Sequence, residues 1–174
     1  MPGQCVLCGL ASRQARLCDG CRADMPWIWP GCERCSAPLP RGSAPGRCAG
    51  CDLVMVAVDR VRAAVVYERP VDHLVTAAKF TGRLDCAHAL GELLACQLQR
   101  EAQVTRCELV IPVPLHPARL ARRGYNQAAV VGAAAARAVG LPFKARLCRR
   151  RVSTSAQSGL ARGARRANVR DAFV

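Results

Sequence analysis

Eight of the chain's 12 cysteines fall within its first 51 residues as CxxC pairs: Cys5/Cys8, Cys18/Cys21, Cys32/Cys35 and Cys48/Cys51. Two thiolates two residues apart on a tight turn project the same way about a metal's width apart, so two such pairs complete a tetrahedral site. Four pairs therefore fill two sites. The gaps between pairs are nine, ten and twelve residues, which suits the short hairpins that carry such knuckles in zinc ribbons. Sequential pairing joins Cys5/Cys8 to Cys18/Cys21 and Cys32/Cys35 to Cys48/Cys51. An interleaved cross-brace, joining the first pair to the third, is the alternative to that expectation. A disulfide framework belongs to secreted chains, and no apolar targeting segment precedes Cys5. A redox CxxC normally occurs once, near a βαβ pattern, and not as four evenly spread pairs.

Closed four-cysteine sites leave no open position for substrate or water, so the expected cofactor is two structural Zn2+. A segment of about 50 residues is marginal on its hydrophobic core alone. Metal binding then supplies much of its folding free energy, and residues 1–52 are expected to fold with zinc as a unit.

The full chain of 174 residues is long enough for one ordinary domain or two small ones, and its apolar half allows a real core. Its formal charge of +14 becomes about +10 once eight metal-bound thiolates and two Zn2+ are counted. Only Lys79 and Lys144 among 26 basic residues are lysine, and arginine's rigid fork suits phosphate and carboxylate. A genome rich in G and C accounts for scattered arginines equally well. The longest run of small apolar residues, Ala128 to Ala136, is too short to span a bilayer, so a soluble, cytoplasmic protein without membrane insertion is expected. Cys86, Cys96, Cys107 and Cys148 read as reduced, small buried hydrophobes.

Beyond the cysteines the pattern changes. β-branched residues from Val61 to Tyr67 predict a strand, and Val71, Leu74, Val75 and Ala78 repeat at helical spacing up to Phe80, with Gly82 as the stop. A second helix is predicted from Leu84 to about Gln103, then a buried strand from Glu108 to Val113 that Pro112 and Pro114 end. A polar, arginine-rich turn leads to a third helix from Asn126, its N-cap, to Val139, and Gly140 with Pro142 closes it. A last strand is predicted over Phe143 to Cys148, followed by an arginine-rich tail, Arg149 to Arg170, expected to be mobile. Strands alternating with helices predict an α/β domain with a mostly parallel sheet.

The segment Val110 to Gln127, VIPVPLHPARLARRGYNQ, leads a strand into a helix N-terminus, where free N–H groups favour an anion, with Arg119, Arg122 and Arg123 around it. Together with the four CxxC pairs, the KFxG element at Lys79 to Gly82 and the stretch from Thr154 through Gln157, Arg162, Arg165, Arg166 and Asn168 to Phe173, it makes the chain resemble the ComF family. Those competence-associated proteins join a double zinc ribbon to a type I phosphoribosyltransferase-like domain. The resemblance covers nearly the whole chain. It implies a double zinc ribbon over residues 1–52 and a phosphoribosyltransferase-like domain over residues 53–174. It also implies a site for the pyrophosphate side of phosphoribosyl pyrophosphate (PRPP), drawn from Lys79, Arg119, Arg122, Arg123, Asn126, Gln127, Gln157, Arg162 and Arg166. Plainer roles compete: solvated surface for Arg122 and Arg123, a cap for Asn126, a helix-end charge for Lys79 and a packed aromatic for Tyr125. His116 is as readily structural as chemical.

The chain departs from that family in one respect. Transferases of this type hold the ribose 5-phosphate with two adjacent acidic residues and a Thr/Gly-rich loop, and the 12 acidic residues here include no adjacent pair. A C-terminal truncation before the PRPP motif, a frameshift or a protein that has abandoned the reaction is the expectation. The existing strands should then keep an unpaired apolar edge. Mg2+ enters only if the transferase site is completed. The expected function is a zinc-binding, competence-linked, phosphoribosyltransferase-like protein, catalytically incomplete as it stands, with DNA or a competence-machinery protein as partner. The alternative is a nucleic-acid-associated or partner-docking zinc-ribbon protein without transferase activity.

Overall fold

The computed structural model describes residues 3–12, 15–44, 46–52, 58–100, 107–155 and 157–174. Each ribbon begins with a knuckle that closes on itself. In the first, the Gly9 N–H donates to the Cys5 carbonyl at 2.9 Å and the Cys5 N–H to that of Leu10 at 2.8 Å. Gly9 sits at φ +76°, which a residue without Cβ adopts freely. Strands β1 (Gly3–Gln4) and β2 (Ala11–Ser12) pair antiparallel across this turn. Helix α1 (Asp19–Ala23) starts at Cys18, whose Sγ accepts from the Cys21 N–H. The second ribbon repeats the plan: Ser36 N–H to Cys32 carbonyl at 2.9 Å, a Gly31–Pro38 bridge, and the short helix α2 (Ala49–Asp52).

Helices α3 (Val71–Phe80), α4 (Leu84–Leu98) and α6 (Gln127–Val139) carry the rest. The spacing that predicts α3 buries Val71, Leu74, Ala77 and Ala78, and α4 buries Cys86, Ala87, Ala89 and Leu93. Asn126 caps α6 by accepting from the Ala128 N–H at 3.0 Å, and Gly140 at φ +71° ends it, both as expected. Helix α4 stops at Leu98, short of Gln103; residues 101–103 lie outside the described set. The expected turn after Pro114 contains a further helix, α5 (Pro117–Arg123). Pro117 presets its first turn, His116 Nδ1 accepts from the Ala118 N–H, and Gly124 at φ +82° closes it.

Of the expected parallel sheet, the described residues contain one contact. Val110 and Phe143 form a parallel bridge, the Val110 N–H donating to Pro142 and the Lys144 N–H to Val110, and α6 lies over it with Gly132 close against Phe143. Pro112 and Pro114 supply no N–H to lengthen the ladder. The predicted strand Val61 to Tyr67 is reduced to a Trp27–Val65 bridge, because its backbone bonds go singly to the ribbons: Val61 N–H to Arg34, Ala63 N–H to Ser36 Oγ, and the Ala64 carbonyl to Ile28 N–H. Exposed Ile111 and Val113 flank buried Pro112.

The arginine-rich tail is ordered where mobility was expected. Arg149 and Arg151 N–H groups donate to Val174 and Ala172, Ala172 is fully buried, and the Arg150 guanidinium lies 5.4 Å over the Phe173 ring. Helix α7 (Arg162–Asn168) fills the bend between them. Composition predicted a mobile segment, but the chain end folds back and pairs.

One buried cluster joins the first ribbon to the helices: Cys5, Leu17 and Met25 with Ala64, Val71, Leu74, Ala78, Cys86, Ala87 and Leu93. The Glu92 carboxylate on α4 accepts the Arg16 N–H through both oxygens, at 3.1 and 3.0 Å, with Arg22 3.9 Å away. Hydrogen bonds to a charged partner are worth about 1.5–3 kcal/mol, and partial exposure reduces this. Glu92→Ala is expected to destabilise the protein by about 1–2 kcal/mol. A urea midpoint that does not move would show that the ribbon needs no such tether. The expected seam at residue 52 adjoins residues 53–57, which lie outside the described set.

Candidate functional site

The four-cysteine clusters form with sequential pairing. The Sγ atoms of Cys5, Cys8, Cys18 and Cys21 all lie within 4.8 Å of one another, as do those of Cys32, Cys35, Cys48 and Cys51. All eight cysteines are unbridged, and Cys8 is the exposed member of its cluster. Without a cation four thiols this close cannot all ionise. Burial pushes the Cys5 thiol up, but the N–H groups of Cys18, Cys8 and Leu7 outweigh it and bring it down to about 6. The N–H groups of Cys35 and Cys48 bring Cys32 to about 6 as well. Their partners bear the cost: Cys21 is raised by burial and by the Cys8 and Cys18 thiols, and Cys51 is pushed up to about 12 by Cys35. A dication removes that conflict, and an all-thiolate tetrahedral donor set fits Zn2+. Both clusters fit closed structural sites with no open coordination position.

A second feature lies at the end of α3. A pocket of about 460 Å³ is lined by Lys79, Phe80 and Gly82 from α3 and its exit, and by Arg119, Arg122 and Arg123 from α5. Four of the site residues read from sequence thus meet around one space. Arg123 is positioned by Phe80, whose ring lies 5.8 Å below its guanidinium, and by Gln127 Oε1, which accepts from Nη1 at 2.9 Å. Gln127 and Tyr125 both donate to the Ala78 carbonyl, fastening the N-terminus of α6 to α3. Arg119 Nη2 donates to the Thr154 carbonyl at 2.8 Å, so the ordered tail braces the pocket's far side. Among the described residues that line the pocket there is no carboxylate to hold Mg2+.

The remaining expected residues are placed apart from this lining. Asn126 is occupied as a cap and through Nδ2 with the Val113 carbonyl. Gln157 donates to the Arg165 carbonyl, and its Oε1 is buried without a partner. Arg166 is exposed on α7, and the side chain of Arg162 lies outside the described set. Sequence reasoning missed Phe80 and Arg150. Phe80 stands inside the KFxG element that marked Lys79, whereas Arg150 carried no distinguishing signal among its neighbours. Burial and the charge of Arg119 both lower Arg150's hold on its proton, and its guanidinium donates to Thr154 Oγ1.

The double zinc ribbon domain family matches residues 1–52, the span that holds both clusters. Beyond it, competence protein F of Haemophilus influenzae is 29% identical over 175 residues, covering 98% of this chain and 75% of the relative. The DNA utilization protein YhgH of Salmonella typhimurium is 29% identical over 178 residues, covering 99% of this chain and 78% of its own. The double zinc ribbon and these nearly full-length matches support a ComF-family assignment. The Escherichia coli K12 YhgH protein, 26% identical with the same coverage, extends the set. No solved structure matches this chain. Among its described residues no helix is long and apolar enough to cross a membrane.

Proposed function

We propose that this ComF-family protein serves DNA uptake or use from the cytoplasm, with two Zn2+ ions as staples and a phosphorylated ligand held in the arginine-lined pocket. The names of its relatives, competence protein F and DNA utilization protein, support the first part. On this reading residues 1–52 are the double zinc ribbon and residues 53–174 a phosphoribosyltransferase-like α/β domain, a reading that the parallel Val110–Phe143 pair supports. A competence-machinery protein is the expected macromolecular partner.

The observation that carries the ligand reading is the convergence of Lys79, Arg119, Arg122 and Arg123 on one pocket with no acidic residue among the described residues that line it. Such a lining favours several closely spaced negative charges, and guanidinium forks match phosphate oxygens in pairs. The pyrophosphate side of PRPP has that chemistry. Lys79 and Arg122 are exposed and supply charge, while the anchoring of Arg123 and Arg119 fixes direction.

Calorimetric titration of zinc-loaded protein with pyrophosphate and with PRPP tests the reading. Binding is expected, and the double variant Arg122→Glu/Arg123→Glu should weaken it by about a hundredfold or more, as loss of two charge-assisted contacts implies. Absence of pyrophosphate binding by the parent protein would remove the ligand assignment.

A nucleic-acid reading has its own support. From Arg119 onward the chain carries 13 of its 26 basic residues, while only Glu108 and Asp171 are acidic beyond residue 101. Phosphate contacts from such a half predict steep salt dependence of any DNA binding.

A further inference from the structure

Of the eight cysteines in the two clusters, Cys8 alone is exposed; Cys5, Cys32 and Cys51 are buried and the other four are partly covered. Cys8 opens a tip, Cys8–Gly9–Leu10, in which all three residues face water. Behind it the Cys18 Sγ stands 3.6 Å from the Cys8 Sγ. The second cluster holds sulfur pairs just as close, Cys35 with Cys48 at 3.6 Å and Cys32 with Cys51 at 3.7 Å. Each of those thiols is covered at least in part, and the Cys32 Sγ also accepts the Cys48 N–H at 3.2 Å.

A thiol that coordinates a metal is ionised outright, so all eight sulfurs have thiolate character and access decides which of them reacts. Oxidation-sensing cysteines add a neighbouring thiol that resolves the first product. Cys8, with Cys18 beside it, combines the three properties. The first cluster is also the one built into the helical core: Cys5, Leu17 and Met25 pack with Leu74 of α3 and with Cys86 and Leu93 of α4. What happens to its metal is therefore felt by both helices.

We propose that Cys8 and Cys18 form a reversible oxidation site, through which hydrogen peroxide detaches the first cluster from its metal and loosens α3 and α4. The Cys8 thiolate attacks one peroxide oxygen; an S–O bond forms, the O–O bond breaks and hydroxide leaves, giving a sulfenic acid. The Cys18 thiolate then attacks the Cys8 sulfur; an S–S bond forms, the S–O bond breaks and a second hydroxide leaves. Two protons from solvent convert the hydroxides to water, and the two electrons that reduce the peroxide come from the two thiolates. Cys5 and Cys21 are then the remaining donors of a four-sulfur set and cannot retain the ion. A dithiol reductant with fresh zinc reverses the change. The proposal rests on zinc filling the clusters and is independent of what the arginine-lined pocket binds.

The test uses zinc-loaded full-length protein in which Cys107, the other exposed cysteine, is replaced by serine. Metal content before treatment examines the zinc reading separately; a chain that takes up no zinc removes that reading and this proposal with it. Limited hydrogen peroxide is expected to release about one of the two zinc ions per chain to an indicator dye. A Cys8–Cys18 disulfide should appear in the peptide map, and the helical circular dichroism should fall. Dithiothreitol with zinc should restore all three readouts. Cys8→His keeps a zinc ligand without the reacting thiolate, so it should hold two ions and keep both at the same peroxide dose. Cys35→His, its counterpart in the second cluster, should lose one ion as the parent does. Release of both ions at equal rates, release while Cys8 stays reduced, loss of one ion with the helical signal intact, or the parent's loss repeated in Cys8→His would overturn the proposal.

Discussion

Breaking the first zinc cluster is expected to unfold the helical half of the molecule, whereas breaking the second should leave most of that half standing. The difference lies in what each ribbon packs against. Cys5, Leu17 and Met25 share one buried cluster with Leu74, Cys86 and Leu93, but Cys32 and Cys51 are not part of it. Structural zinc sites bind with apparent free energies of about 10–16 kcal/mol in isolated peptides, which equals or exceeds the whole stability of a typical domain, about 5–15 kcal/mol. Cys8→Ser is the clean probe, since Cys8 is exposed and its replacement removes a ligand without touching the core. Cys35→Ser is its counterpart in the second cluster. Each variant should bind one zinc ion, and Cys8→Ser should also lose most helical circular dichroism and amide protection in α3 and α4. Equal protection of those helices in the two variants would mean that the shared cluster holds without its metal.

The second large effect is expected at Gly91. A Cβ there would stand 2.7 Å from the Ala134 Cβ and 3.4 Å from the Val131 Cα, where α4 crosses α6. Neither neighbour is a flexible side-chain end, so the helices themselves must separate. Gly→Ala in a helix interior returns about 1 kcal/mol in propensity, while overpacking costs about 1–3 kcal/mol, so Gly91→Ala should lose up to about 2 kcal/mol net. Gly91→Leu should cost more than about 3 kcal/mol and broaden the transition. Gly163→Ala in α7, which meets nothing within 4 Å, gives the control: the propensity gain alone, with unchanged or raised stability. A melting temperature that rises in Gly91→Ala would show that α4 and α6 sit further apart than described.

The zinc clusters were legible because their chemistry is local: spacing two residues apart fixes each pair, and neighbouring pairs close on each other. The pocket was legible in part, since Lys79 and the arginines of α5 announced themselves by residue type. That α3 delivers Lys79 to α5 depends on Gln127 and Tyr125 both reaching the Ala78 carbonyl, which no spacing reveals. Helix α5 was missed although Pro117 and Gly124 are good start and stop residues, because its arginines hid the short apolar pattern. The run Val61 to Tyr67 has strand composition, yet its partners are irregular ribbon loops, and β propensity reports burial on a pleated face more than pairing itself. The tail misled for the opposite reason. Its composition is that of solvated chain, but Ala172 and Phe173 at its far end anchor it.

The seam formed by Leu17 and Met25 against Leu74 and Leu93 also binds the history of the two halves together. A ribbon grafted from a relative brings a foreign apolar surface to α3 and α4, and the mismatch can be repaired only by exchanging those helix faces with it. The cysteine-rich third is thus a fitted part, exchangeable only together with the helices it touches.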